Sequence, residues 1–295
     1  MLITPVAAVV AVSALHLLLA DPPKADAPAA AAPPAAADAP ARDRAKEVAN
    51  EEGFGAVRTP DLLERVGGDR EASIEIVKGV YRSGASSIES PLPDGYPEPT
   101  PPGAIDIKKY PSVRRVEWAS DAVPTRRGMD GGFWPLFNHI KERDIPMTSP
   151  VEMDYRGVFD LSDGVKVKEG GSWTMSFLYR WASQGPTGSD GDLKVVDTPA
   201  ITVVSAGVRG PYGMRTTMDG LESLKTWLDE QAKLADGWRA AGEPRVFHYN
   251  GPYVRDANKW SEVQIPVVRA TTSAPAAAPA AAPAQASTQA AANNS

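Results

Sequence analysis

Residues 200–234 read AITVVSAGVRGPYGMRTTMDGLESLKTWLDEQAKL. Ala200 to Gly210 has the apolar content of a strand, and Met218 to Leu234 reads as a helix. Leu221, Leu224, Trp227 and Leu228 form the helix's apolar face. Downstream, PRVFHYNGPYV (residues 244–254) reads as a strand and turn, and KWSEVQIPVV (259–268) as the closing strand. The same order stands upstream. IDIKKYPSVRRVEW (105–118) is a strand interrupted at Pro111, and a turn is expected around Arg126–Gly128. FWPLFNHIKERD (133–144) then reads as a helix, with Phe133, Leu136, Phe137 and Ile140 on one stripe. IPMTSPVEMDY (145–155) is extended, at an edge or bulge because of its prolines, and SWTMSFLYR (172–180) is a strand. Trp173-Thr174-Met175 can be laid over Trp260-Ser261-Glu262. The predicted fold is α+β. Two pseudo-repeated β-α-β-β units form a curved eight-stranded sheet, with two helices on one face and a groove on the other.

The 295 residues contain no cysteine. That excludes disulfide scaffolds, zinc–thiolate and iron–sulfur sites, and a cysteine nucleophile. Three histidines, His16, His139 and His248, do not suffice for a multi-histidine metal site within the core. The chain carries 37 acidic and 31 basic side chains, a net charge of -6. Residues 104–269 hold 22 of each, and the excess, 15 acids against 9 bases, falls in residues 1–103. A neutral core lacks the basic surface that a nucleic-acid binder needs.

Residues 1–20, MLITPVAAVVAVSALHLLLA, are nearly all apolar and read as a signal peptide or N-terminal membrane anchor. The expected location is therefore exported, either periplasmic or extracellular or held at the membrane. Residues 21–45 are an Ala/Pro-rich linker, and 270–295 repeat that composition as a tail; both are expected to be disordered. Residues 46–103 form an accessory segment. Leu62, Leu63 and Val66 suggest a short helix, SIEIVKGVYR (73–82) a strand, and PLPDGYPEPTPPG (91–103) a loop.

The strings IDIKKYP, FWPLFNHI, IPMTSPVEM, WTMSFLYR, VRG-x-Y and WSEVQIPV occur in this order. Together they resemble the SOUL haem-binding protein family over about residues 104–268. The resemblance implies two β-α-β-β units, similar to the effector-binding domains of bacterial multidrug regulators, and non-covalent binding of haem or another tetrapyrrole. Some members place an iron-ligating histidine before the motif's tyrosine; here Lys109 precedes Tyr110. A lysine is protonated near neutral pH and ligates iron poorly. Other members hold haem beside the first helix, which here supplies Phe133, Trp134, Phe137 and His139, with Lys141 and Arg143 at its far end.

Several residues are candidates on chemical grounds. His139 is either an axial iron ligand or a half-buried, hydrogen-bonded helix residue. His248 reads as a structural strand residue. Met147, Met153, Met175, Met214 and Met218 suit a flat apolar ligand or a core. In WSEVQIPV, Val263, Ile265 and Val267 face the helices, which turns Trp260, Glu262 and Gln264 to the groove. By the overlay, Trp173, Met175, Phe177 and Tyr179 line its other half. Lys108-Lys109, Arg114-Arg115 and Arg126-Arg127 read as solvated clusters, and SDGD (189–192) as a turn. The leading expectation is a non-enzymatic module binding haem, or another planar hydrophobic molecule, for storage, transport or scavenging. The alternatives are a small-molecule hydrolase or effector module using Glu262, with Tyr179 as its acid/base partner, and a tethered adaptor for a peptide or lipid.

Overall fold

The computed structural model describes residues 63–121 and 126–270, except the side chains of 126–130. The chain divides into two units, Met1–Lys46 and Glu47–Ser295, and the described residues all belong to the second. The expected leader or anchor, the linker, Leu62 and the tail from residue 271 lie outside the described residues.

The elements run β1 (Leu63–Gly68), β2 (Glu75–Val77), β3 (Val80–Ser83), β4 (Ser86–Ile88), β5 (Ala104–Tyr110), β6 (Val113–Ser120) and α1 (Arg126–Glu142). Next come β7 (Val151–Arg156), β8 (Phe159–Asp160), β9 (Lys166–Val167), β10 (Ser172–Leu178), β11 (Gly188–Asp190) and β12 (Leu193–Thr198). The last are β13 (Ile201–Arg209), α2 (Met214–Ala232), β14 (Trp238–Ala240), β15 (Arg245–His248) and β16 (Trp260–Arg269). The molecule is α+β, with an eleven-stranded antiparallel sheet where eight strands were expected. Its order is β1-β5-β13-β16-β15-β7-β10-β6-β12-β11, with β14 beside β16.

Registers explain the two faces. Ile105, Ala206, Val263, Val246, Met153, Met175 and Trp118 are successive cross-strand partners, forming one apolar row. That row faces α1 and α2 and belongs to the main core, with Leu136, Ile140, Leu221 and Leu224. The neighbouring row on the opposite face is polar: Asp106, Ser205, Gln264, Arg245, Asp154 and Thr174. Strand alternation thus builds one dry face and one charged face.

Four local expectations are corrected. Leu63 and Val66 lie in β1, not a helix, because pairing with β5 overrides a weak short-range pattern. SIEIVKGVYR is not one strand but the hairpin β2–β3. Lys78 and Gly79 make its turn, both with positive φ (51° and 78°), as a two-residue hairpin loop requires. Pro111 does not merely interrupt a strand: β5 and β6 occupy distant places in the sheet. Arg126–Gly128 is helix rather than turn, so α1 begins seven residues before Phe133 and carries Pro135 inside it. Gly132 lets α1 approach β6, since a Cβ there would meet the Trp118 ring at 2.8 Å.

Residues 91–103 run as a strap over the charged face. Ser149 N–H donates to Pro91 O (2.9 Å), Asp94 N–H to Arg180 O (3.0 Å), and Gly103 N–H to Gly207 O (2.8 Å). Leu92 and Tyr96 join Tyr81 and Ile88 in a second apolar cluster against Tyr110, Phe247 and Trp260. Among the described residues no helix is long and apolar enough to cross a membrane.

Candidate functional site

The strapped face holds the densest polar chemistry. Glu262 is wholly buried. Lys108 Nζ donates to its two oxygens at 2.9 and 3.0 Å. Tyr249 OH and Ser205 Oγ each donate at 2.6 Å, Gln264 Nε2 at 2.7 Å, and Tyr110 OH at 3.2 Å. The strap adds Thr100 N–H at 2.8 Å, and Trp260 Nε1 donates back to Thr100 O at 2.8 Å. Burial opposes the Glu262 charge, but Lys108 and the hydroxyl donors outweigh it and hold the carboxyl below its ordinary range. Beside it, Arg115 bridges Glu117 (3.0 Å), Glu152 (3.0 Å) and Asp154 (2.8 Å). Arg245 binds Glu152 and Gln264, each at 2.8 Å, and lies over the Tyr110 and Phe247 rings. Burial, then the neighbouring Glu152 charge, pushes the Asp154 carboxyl up to about 6.

This geometry corrects the expected groove. Trp260, Glu262 and Gln264 do lie on the face away from the helices, but each is fully buried beneath the strap. Trp173, Met175, Phe177 and Tyr179 lie on the other face, in the helix-side core. The overlay was one residue out: Met175 shares its row with Val263, not Glu262. A one-residue slip in a strand exchanges its faces. Glu262 and Tyr179 therefore stand on opposite sides of the sheet, and the structure does not bring them together as an acid/base pair. Lys108 and Arg115 were expected in solvent, but both are buried; Lys109 is exposed, and Arg114 pairs with Asp197 at 2.7 Å. The alternation Asp106, Lys108, Tyr110 was the signal that placed Lys108 on the polar face.

The outward face of α1 is different. Trp134 is 59% exposed. Phe133 and Phe137 are half-buried and stacked, with ring centres 6.0 Å apart. Trp134 stands edge-on to both, at 5.6 and 6.0 Å. Phe133 meets Phe177 beneath at 5.2 Å, and half-buried Met147 packs on the main core.

His139 is 3% exposed and faces inward. Its Nδ1 is 2.6 Å from Asp190 Oδ2, and its Nε2 is 2.7 Å from Tyr179 OH. Asp190 also receives Arg143 at 2.9 Å, and the His139 hydrogen bond foremost holds its carboxyl below the usual range. A carboxylate accepts only, so Nδ1 donates to Asp190, and Nε2 is paired with the Tyr179 hydroxyl. Neither ring nitrogen has a lone pair free for iron, which corrects the axial-ligand expectation. His248 is also buried, 3.0 Å from Ser261 Oγ, and burial pushes its pKa down to about 3.

A sequence profile described as SOUL heme-binding protein matches residues 98–266, more than half of the chain. The chain belongs to the SOUL family. No curated protein sequence matches this SOUL-family chain. Among solved structures it is similar to the C-terminal domain of EcmrR, at 17% identity and TM-score 0.42, covering 56% of this chain and 96% of that one. A hydrolase from Listeria innocua is 10% identical, with TM-score 0.40 and coverages of 58% and 94%. SAV2435 bound to tetraphenylphosphonium is 10% identical, with TM-score 0.34 and coverages of 55% and 92%.

The residues fit the haem of the family's name in one respect and not in another. The α1 face of this SOUL-family chain offers exposed aromatic surface to a macrocycle. Among the described residues, both His139 ring nitrogens are hydrogen-bonded within the fold, and His248 is buried and tied through Nδ1 to Ser261; His16 lies outside them. The described residues contain no cluster of three or more His, Asp or Glu able to hold a metal. The shallow depression between the start of α2 and β15–β16 spans about 160 Å³ even with open solvent included. That is below the roughly 300 Å³ at which small-molecule pockets begin.

Proposed function

We propose that this SOUL-family chain binds haem or another tetrapyrrole non-covalently on the outward face of α1, as a carrier, store or scavenger rather than an enzyme. The observation that supports this reading is Trp134, an indole 59% exposed beside the stacked Phe133 and Phe137. A contiguous exposed aromatic patch, unlike a single exposed side chain, marks a binding surface. The groove that the sequence suggested around Glu262 is covered by the strap. Residues 1–20 motivate an exported location, where such a carrier meets its cargo.

Because His139 is committed to Asp190 and Tyr179, recognition rests on the ring rather than the metal. The test is a titration of the full chain with haem and with metal-free protoporphyrin, followed in the Soret region. Both should saturate at one equivalent. Trp134→Ala should weaken binding about tenfold, an aromatic contact of about 1.4 kcal/mol. It should leave the stability within about 0.5 kcal/mol of wild type, as substitutions at exposed positions do. His139→Gln should not move the Soret band of bound haem. No saturable shift, or a Trp134→Ala titration identical to wild type, defeats the assignment.

A further inference from the structure

The chain Asp190–His139–Tyr179 links a surface carboxylate to a buried phenol. Tyr179 is 1% exposed and His139 3%, whereas the Asp190 side chain is 38% exposed. Tyr179 directly follows β10 and is fixed by its N–H bond to Arg114 O at 2.8 Å. Gly185 passes close to the phenol ring, where a Cβ would stand 3.4 Å away. The O–H is thus held 2.7 Å from one imidazole nitrogen, and the ring's other nitrogen is anchored by a carboxylate. Such an arrangement orients a base and stabilises the cation that it becomes. Neither the aromatic face of α1 nor the Glu262 network uses it.

We propose that Tyr179 is a one-electron redox site. An outer-sphere one-electron oxidant takes an electron from the phenol, and the phenolic proton crosses the hydrogen bond to His139 Nε2. The O–H bond breaks and an N–H bond forms. The products are a neutral tyrosyl radical, an imidazolium paired with Asp190, and the oxidant reduced by one electron. Returning the electron and the proton restores Tyr179, so no atom is gained or lost.

Two comparisons single out this tyrosine. A buried phenol oxidised without a proton acceptor becomes an uncompensated cation, which a dry interior opposes. Tyr249 and Tyr110 have an acceptor, but it is the Glu262 carboxylate, already tied to Lys108 and sealed from water. A carboxylate is a weaker base than an imidazole by about two pH units in reference values. Of these acceptors, the His139 imidazole is the one that leads to a partly exposed group, Asp190. The oxidant's access is also visible: Trp134, Phe133 and Phe177 touch in sequence from the surface inward, and Tyr179 lies two residues beyond Phe177 in the same core.

The test uses the full chain without ligand, so its outcome is independent of tetrapyrrole binding. Hexachloroiridate(IV) is the oxidant, and samples are frozen rapidly for electron paramagnetic resonance. A tyrosyl signal is expected, with a proton coupling that exchanges in D2O. Tyr179→Phe should abolish the signal. His139→Gln retains a hydrogen-bonding side chain but no base, and should cut the yield about a hundredfold, the lower end of what a positioned proton acceptor contributes. The proposal is overturned if no tyrosyl signal forms, if it survives in Tyr179→Phe, or if His139→Gln leaves it undiminished. Should either variant fold poorly, wild type decides. Oxidation should slow in D2O and the exchangeable coupling should be present; absence of both rejects the site.

Discussion

Six donor groups converge on the Glu262 carboxylate, from Thr100, Lys108, Tyr110, Ser205, Tyr249 and Gln264. A buried ion pair of this kind adds little net stability relative to an apolar pair, but removing one partner strands the other. Glu262→Leu or Lys108→Met alone should cost about 3–5 kcal/mol. The double variant should cost less than the sum of the two, because neither charge is then stranded. Urea unfolding of the four proteins checks this, and strict additivity refutes it. The sequence made Glu262 conspicuous but not its partner. Lys108 looked like half of an exposed dibasic pair, and only the alternation of IDIKKY carried its true side. His139 was legible as a residue flanking an apolar stripe. Its partners were not, because Asp190, at the end of β11, lies 51 residues away and Tyr179, just after β10, lies 40 away.

At the scale of elements, the strap is held where Gly207 of β13 has no side chain. A Cβ at that position would lie 2.2 Å from Pro101 O and 2.4 Å from Thr100 O, both backbone atoms that cannot rotate away. Gly207→Val should therefore lift the strap and cost about 3 kcal/mol, the upper range of overpacking. Proteolytic cutting within residues 91–103, absent in wild type, should report the lifting, and an intact strap in the variant contradicts the packing argument. The helices and most core strands of the sheet were readable from periodicity, since an amphipathic stripe survives any tertiary arrangement. The hairpin β2–β3 was not, because its Lys78-Gly79 turn interrupts a run that otherwise alternates as one strand. The groove failed for a different reason. Nothing local to a proline-rich loop says which surface it covers, and the Trp260 overlay carried a one-residue slip that no single-strand pattern detects.

Across the whole molecule, the polar face makes stability depend on pH in two opposed ways. Asp154 holds its proton to about pH 6 in the fold, against an ordinary value of 3.8. Between those values the folded state binds more protons than the unfolded chain, so this contribution falls as pH rises and stays low above about pH 6. Glu152 is shifted down, chiefly because Arg245 and Arg115 outweigh its burial, so its contribution is lost as pH falls through the carboxylate range. Asp154→Asn removes the first effect and also relieves Glu152 of a neighbouring carboxyl that shares Arg115. It should raise stability by about 1–2 kcal/mol above pH 6 and change little below about pH 4. Thermal unfolding from pH 4 to 8 measures it; a variant less stable than wild type at pH 7.5 means that the Arg115 pair outweighs burial.

The strap also sets a timetable. Thr100 and Glu262 are 162 positions apart, so a ribosome making about 5–20 residues per second separates their synthesis by roughly 8–30 s. Through that interval the strap's Thr100 waits without the Glu262 carboxylate that receives its N–H. Six prolines in residues 91–103 deny that waiting stretch the amide donors with which a neighbouring nascent chain would zip onto it. The stretch that must wait longest for Glu262 is thus also poorly able to bind a wrong chain first.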